Sequence, residues 1–436
     1  MKILFIEPSY YTSSGLEKAA LYKDSMRGAY YLSLTLPHLA ALTPADIEVE
    51  IAFEVCEDLE NDYDLASYDL IGITCQTVHF RRVLELAKRF RELGVPVVVG
   101  GPATIEDNHR LVPVLARFCT SVVVGEAEEV WPQFLDDFRS GTPKKVYRSG
   151  REAPVAGFPI PRFELVNFDY LAKPHVLPAM ASRGCPRNCS FCSEFLYGRW
   201  RLRPVDEVVT ELAAYKSRFG IPRVAFRDDD FMVHPRRSME LLEKIRDLEI
   251  EWSCQTDLNL SRHREVAEMA VRAGMKSVSF GLESIEVENL ESARKRFFSI
   301  PEAEELLHFL HGNGVETQVN IIFGFDGDTP EVFDRTVDFV LRNRVSLFFP
   351  SILFPIPGTP VYEQLLKENR IIDLHPPGDL DPLVVNFIPK HLTAEQLVSG
   401  FLHAKERFYR ERRDPVFWLE AENNIWGTTS AAGVAC

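Results

Sequence analysis

Short apolar runs alternate with amphipathic stretches along most of the chain. KILFIEP (2–8), VEIAFEV (49–55), YDLIGITCQT (68–77), VPVVVGGPAT (95–104) and TSVVVGEAEE (120–129) lack the two-residue alternation of a half-exposed strand. Such runs belong to parallel strands covered on both faces. HFRRVLELAKRFRELG (79–94) and IEDNHRLVPVLARF (105–118) carry apolar residues at helical spacing, and YLSLTLPHLAALTP (31–44) supplies the first crossover. The pattern predicts a doubly wound, Rossmann-like α/β domain over 1–140, whose ligand lies beyond the C-terminal strand ends. Residues 141–175 are rich in Pro and Gly without a sustained period and read as a linker. A second βα series fills 176–360. Its strands are VLPAMAS (176–182), RVAFRDDDF (223–231), IEWSCQTDL (250–258), SVSFGLES (277–284), ETQVNIIFGF (316–325) and SLFFPSILFP (346–355). Six steps are too few for an eight-stranded barrel and fit a partial (β/α)6 barrel. The C-terminal segment 361–436 holds two helical patterns, VYEQLLKEN and TAEQLVSGFLHAKERFYRERR, expected to cap the barrel mouth. The tail GTTSAAGVAC reads as frayed.

Composition narrows the function classes. Lys plus Arg is 49 against 64 Asp plus Glu, a net charge of −15. A phosphate-tracking protein carries the opposite sign, so nucleic acid is not an expected partner. No run approaches the roughly 18 apolar residues of a membrane helix. MKILFIEPSYY has no signal-cleavage pattern and reads as a strand. The expectation is a cytoplasmic protein without a transmembrane segment.

Eight cysteines are present, and three of them, Cys185, Cys189 and Cys192, fall in RGCPRNCSFC (183–192). By chance this C-x3-C-x2-C spacing is expected roughly 0.003 times in such a chain. In a reducing compartment a cysteine cluster points to metal rather than disulfides. Three thiolates can hold three irons of a [4Fe–4S] cluster and leave the fourth open. Zinc is the competing reading; it needs a fourth ligand such as a His or Cys254, and no second C-x2-C pair is present. Cys254 sits in a strand and is expected in the barrel wall, while Cys56, Cys75 and Cys119 read as small core residues.

The triplet, with the aromatic Phe191 before its last cysteine and a partial barrel behind it, resembles the radical S-adenosylmethionine (SAM) superfamily. The first domain is similar to the cobalamin-binding domain that precedes the barrel in one large branch. The resemblance implies that Cys185, Cys189 and Cys192 ligate the cluster and that the amino and carboxylate groups of SAM chelate the open iron. One electron then cleaves the sulfonium and yields a 5′-deoxyadenosyl radical. Among Asp228, Asp229 and Asp230, which end the second barrel strand, one is expected to meet the SAM amino group; a solvated turn or helix cap is the alternative. Gln255 and Asp257 end the third strand. Glu283 and Ser284 end the fourth, where relatives bind the ribose or methionine part. Gly324 opens the segment whose backbone lies against adenine in relatives, although Asp326 replaces the usual Pro. FPIPGTPVY (354–362) matches a recurrent family segment and is read as a turn shaped by its prolines.

For cobalamin, the resemblance points to turn residues after the strands of the first domain: Ser9, Thr74, Thr77, Gly100, Gly101, Gly125 and Glu126. Small residues there would let a bulky tail approach the backbone. The Asp-x-His-x-x-Gly motif is absent, and His38, His79 and His109 read as surface or packing residues. A vestigial domain, or one that docks substrate in that crevice, stays open. The leading function is a cobalamin-dependent radical SAM methylase of an unactivated carbon in a small or lipid-like molecule, fed by an electron donor such as flavodoxin or ferredoxin. Radical cyclisation, rearrangement or carbon–carbon coupling without methyl transfer is the alternative, and a non-enzymatic metal scaffold a third class. Phe387, Phe401, Phe408, Tyr409, Phe417 and Trp418 are read as the packing of a helical cap rather than an apolar substrate wall.

Overall fold

Alternate residues of the first strand go to opposite cores, as the uninterrupted apolar runs require. In β1 (Lys2–Glu7), Ile3 and Phe5 enter the core beneath the helices Thr35–Leu42 and Ala127–Arg139. Leu4 and Ile6 enter the core beneath Phe80–Glu92 and Asn108–Phe118. Phe5 meets Trp131 at 5.6 Å between ring centroids, and the Trp131 indole N–H donates to Thr43 Oγ1 at 3.0 Å. The computed structural model of the chain describes residues 1–9, 32–106, 108–150, 153–170, 176–220, 223–295, 298–372 and 383–413. The tail read as frayed, with Phe417 and Trp418, lies outside the described residues.

The first sheet contains β1, β2 (Glu48–Phe53), β3 (Leu70–Thr74), β4 (Val97–Gly100), β5 (Ser121–Val124) and β6 (Val146–Arg148). Its order is β2-β1-β3-β4-β5-β6, all parallel. The chain reverses its winding between β1 and β3, so the ligand crevice expected of such sheets opens there, at the C-terminal strand ends. One stretch departs from the sequence reading: residues 146–148, taken as linker, form the edge strand β6. Three residues with Tyr147 alone fully buried leave too short an apolar pattern to read as a strand.

The second sheet contains β7 (Leu177–Ala179), β10 (Arg223–Phe226), β11 (Glu251–Asp257), β12 (Met275–Glu283), β13 (Glu316–Phe323) and β14 (Leu347–Ile352). Its order is β14-β13-β12-β11-β10-β7, six parallel strands of an open barrel. Between β7 and β10 the chain makes an antiparallel hairpin of β8 (Ser182–Arg183) and β9 (Arg201–Leu202), and the cysteine loop runs from one to the other.

The C-terminal helix Ala394–Glu411 does not cap the mouth as expected. It lies along β14 and the helix Val332–Arg342. Tyr409 donates its hydroxyl to the carbonyl of Phe348 at 3.0 Å, Arg412 reaches the carbonyl of Ser346 at 3.2 Å, and Phe408 packs on Phe348. An open barrel leaves β14 as an unpaired edge, and this helix covers it. Phe387, Phe401 and Phe408 are buried by that packing. Among the described residues no helix is long and apolar enough to cross a membrane.

Candidate functional site

The three cysteines sit on one loop between β8 and β9, in the connection that follows the first barrel strand β7. Cys189 is buried, and Cys185 and Cys192 are half-buried. Backbone N–H groups of Arg187 and Glu194 point at the sulfurs of Cys185 and Cys192, at 3.4 and 3.5 Å. Such N–H···S contacts favour thiolate over thiol. With no metal present, burial pushes the Cys185 and Cys192 thiols up to about 12; metal binding would displace their protons. Three cysteines on one loop offer one soft thiolate each to three irons of a cluster and leave the fourth iron open. The donor set fits the cluster. The loop is tied at both flanks: the Ser190 N–H donates to the carbonyl of Ala293, and the Ser190 carbonyl accepts from Val361 N–H. Val361 belongs to the proline-rich segment after β14, which turns into the helix Pro360–Lys367 capped by Thr359.

The three adjacent aspartates after β10 have three different tasks. Asp228 is fully turned toward the loop: it accepts from Ala181 N–H at 2.9 Å and from Ser182 Oγ at 2.5 Å. This staples β8 to β10, so Asp228 holds the cysteine loop and has no free oxygen edge for SAM. Burial raises its carboxyl to about 6. Asp230 accepts from Thr256 Oγ1 and from Asp257 N–H, at 2.8 and 3.1 Å. Arg187, the residue between the first two cysteines, forms ion pairs with Asp230 (3.5 Å) and Asp257. Burial and the neighbouring Asp257 raise Asp230 to about 8. Asp229 is half-buried beside Glu194 and the backbone of Gly184, which leaves it the most open of the three. Gln255 is exposed in the barrel and donates weakly to the carbonyl of Asp229 at 3.4 Å.

At the end of β12, Glu283 adopts φ 66°, a left-handed conformation that only surrounding structure can hold for a non-glycine residue. Its Oε1 accepts from the buried Lys295 at 2.8 Å, and Lys295 also donates to the carbonyl of Gly281 at 2.7 Å. Gly281 has no room for more, because a Cβ there would lie 2.7 Å from Lys295 Nζ. Glu283 Oε2 takes no hydrogen bond among the described residues. Ser284 is used locally, its hydroxyl accepting from Glu286 N–H and Asn289 Nδ2. Asn289 donates onward to Asp328 at 2.7 Å, and Asp328 accepts from Gly324 N–H at 2.7 Å. Gly324 was expected to offer its backbone to adenine. Its N–H donates to Asp328, and a Cβ at this φ of 110° would press on Phe387 and Leu397 at about 3 Å. Its small size serves the C-terminal packing. Asp326, standing where the family has Pro, pairs with Arg370 at 2.7 Å and ties the C-terminal segment to the mouth. Phe191 meets Phe325 edge-on at 6.1 Å.

Lys295, Arg187, Asn289 and Asp328 were absent from the sequence-based site. An Asp inside a Gly-rich turn (FGFDGDT) was the one available signal. Burial lifts Asp328 to about 6 despite its two donors. A carboxyl raised in the folded state stabilises below its unfolded value, and that contribution is lost as pH climbs through 6. Asp328→Asn removes the titration. The unfolding free energy of wild type minus variant should therefore fall by about 2 kcal/mol between pH 4 and pH 7. Thermal midpoints across that range measure it, and a constant difference would sink the idea.

At the C-terminal edge of the first sheet, the turn glycines answer to protein neighbours. A Cβ on Gly101, at φ 109°, would lie 2.8 Å from the backbone of Cys75, where the turns after β3 and β4 cross. Gly100 lies against Val123 and Gly125 against Ser149. Gly101 and Gly125, both at positive φ, are thus required by folding, with or without a tail beside them. Ser9 donates through N–H and hydroxyl to Glu54, at 2.9 and 3.1 Å. Thr74 is buried, Thr77 half-buried, and Gln76 exposed on the rim. His38 pairs with Glu128 at 3.1 Å and His79 is buried, its imidazole pushed down to about 4 by burial. Glu126 grips Arg201 with both oxygens, at 2.6 and 2.8 Å. The same edge abuts the cysteine loop, the helix Ala103–Glu106 lying against the turn Glu194–Tyr197.

An open barrel of six parallel strands with a three-cysteine loop after its first strand defines a class, and comparison with known proteins agrees. The Radical SAM superfamily profile matches residues 180–340. A bacteriochlorophyllide d C-12(1)-methyltransferase of Chlorobaculum tepidum is 31% identical over 417 residues, covering 94% of this chain and 87% of that protein. The bacteriochlorophyllide d C-8(2)-methyltransferase of the same organism is 28% identical, covering 78% and 77%. The radical S-adenosylmethionine methyltransferase TsrM of Kitasatospora setae, solved with tryptophan and a SAM analogue, superposes with a TM-score of 0.65 at 18% identity. The overlap covers 92% of this chain and 83% of TsrM, so both domains share their fold with it. The chain belongs to the radical SAM superfamily, in the branch with a doubly wound domain ahead of the barrel. It is an enzyme of that superfamily, with a [4Fe–4S] cluster and SAM as cofactors.

Proposed function

We propose that the chain is a cobalamin-dependent C-methyltransferase acting on an unactivated carbon of a small, tetrapyrrole- or lipid-like molecule. The observation that carries this reading is the contact between the C-terminal edge of the first sheet and the cysteine loop. A ligand in the crevice of that sheet and a cluster in that loop would share one enclosed space. The methyltransferases of Chlorobaculum tepidum, matched over most of their length, support methyl transfer.

When bound, the cluster with SAM supplies a hydrogen-abstracting carbon radical and cobalamin a transferable methyl group. Cys185, Cys189 and Cys192 would hold the cluster. Asp229 and Glu283, each with an oxygen not fully committed, would take the amino and ribose groups of SAM, and Gln255 a polar atom further into the barrel. Asp228, Asp328 and Asn289 position the loops that carry them. Gln76, Thr77 and the backbone at Gly100, Gly101 and Gly125 would form the floor for the corrin. Holding both reactants at one mouth supplies the proximity such chemistry needs. In this reading the protein works in the cytoplasm and takes its electron from a donor such as flavodoxin or ferredoxin.

The test uses anaerobically reconstituted protein with hydroxocobalamin, reductant, SAM and bacteriochlorophyllide d. Methylated product with both S-adenosylhomocysteine and 5′-deoxyadenosine is expected. Turnover with 5′-deoxyadenosine and no S-adenosylhomocysteine would replace methyl transfer by cyclisation or rearrangement.

A further inference from the structure

The base of the cysteine loop is gripped from the first domain. Arg183 and Arg201 stand directly opposite one another in the β8–β9 pair, on either side of the loop that carries all three cysteines. Two like charges so placed repel and would splay the hairpin. They are neutralised by Glu126 in the turn after β5 and by Glu128 in the first turn of the helix Ala127–Arg139 that follows. Glu126 Oε1 lies 3.2 Å from Arg183 and 2.6 Å from Arg201, and Glu128 lies 2.7 Å from Arg183. Arg201 additionally donates to the carbonyl of Ala153 at 2.6 Å. The glutamate side chains are 9% and 12% exposed, so these pairs are only weakly screened by solvent. His38 holds Glu128 from behind, and Phe158 packs under both His38 and the Arg183 guanidinium, at 4.8 and 5.1 Å.

The turn that carries Glu126 is closely packed. It starts at Gly125, with φ 95°, where any side chain would collide with Ser149 Oγ. The same turn forms part of the C-terminal edge of the first sheet, where a ligand of that domain binds. We propose that Glu126 and Glu128, acting on Arg201 and Arg183, form a clamp that links corrin binding at this edge to the seating of the cluster loop. In this reading the two acids are positioning residues that act through the hairpin. The inference rests on the cobalamin reading above. Because linkage is reciprocal, the loop in its cluster-bound state must alter corrin affinity by the factor with which corrin alters the loop.

The experiment titrates hydroxocobalamin by absorbance into cluster-loaded protein and into the cluster-free C185A/C189A/C192A variant. The Kd is expected to differ between the two by about five-fold or more. In E126Q/E128Q the two values should converge to a ratio of about one while corrin still binds. R201K keeps the charge but loses the fork that engages both oxygens of Glu126, and should give an intermediate ratio; it also serves if the double variant does not fold. A full ratio retained in E126Q/E128Q or R201K overturns the clamp, as does a ratio of one in wild type. Failure of wild type to bind hydroxocobalamin at all defeats the cobalamin reading itself, and the clamp with it.

Discussion

Replacing any one of Cys185, Cys189 or Cys192 with Ala should leave a folded, pale protein with no detectable SAM cleavage. The three thiols contribute little to the core: two are half-buried, and the loop is held by Ser190, by Asp228 and by the β8–β9 hairpin rather than by sulfur. Loss of one ligand instead exposes a second iron position, and a cluster held by two thiolates does not persist through purification. The expected readings are a visible absorption band that disappears, iron and sulfide that fall to background, and 5′-deoxyadenosine formation that falls by at least about 10³-fold. Circular dichroism should be unchanged. Wild-type protein prepared without oxygen that is colourless and holds stoichiometric zinc would overturn the assignment. Arg187→Met offers a milder companion. It leaves the cysteines intact but removes the cation between Asp230 and Asp257.

The strands were legible because parallel strands buried on both faces need apolar residues at every position, and such runs stand out. The edge strand Val146–Arg148 and the two-residue strands of the hairpin were not, since so few residues carry no period. The cysteine triplet stood out because three cysteines within eight residues are rare by chance. The aspartates after β10 could not be told apart, because the task of each depends on where its carboxyl points once the strand is paired. Asp228 turns back to Ser182, 46 residues away in sequence, and Asp230 crosses to Thr256. Glu126 follows β5 as its position in the sequence implies, yet its partners Arg183 and Arg201 lie in another domain and no local pattern announces them. The C-terminal helix has the same history. Its amphipathic period was evident, but only the open edge of the barrel decides that it lies along β14 rather than over the mouth.

Lys295→Met should be the most destabilising single substitution in the barrel mouth. The side chains of Lys295 and Glu283 are 7% and 10% exposed, and they meet at 2.8 Å. Burial alone would push the lysine down, but Glu283, Cys189 and Asp257 around it hold it above its ordinary value, so it carries its charge at neutral pH. Removing the lysine leaves Glu283 buried without a counter-ion, which costs about 3–5 kcal/mol. Removing both charges in K295M/E283Q should recover much of that, because the desolvation of the pair disappears with it. A double variant no more stable than K295M would show that packing, not charge, sets the cost. Stability is only half of the expected effect. Lys295 is also the buried cation nearest in electrostatic effect to Cys189, so its loss withdraws positive charge from the cluster's surroundings. The cluster should become harder to reduce, its midpoint potential moving to more negative values in K295M and less so in K295R. Potentiometric titration with EPR detection reads this independently of folding. An unchanged potential in a folded K295M would confine the lysine to holding Glu283 in its left-handed conformation.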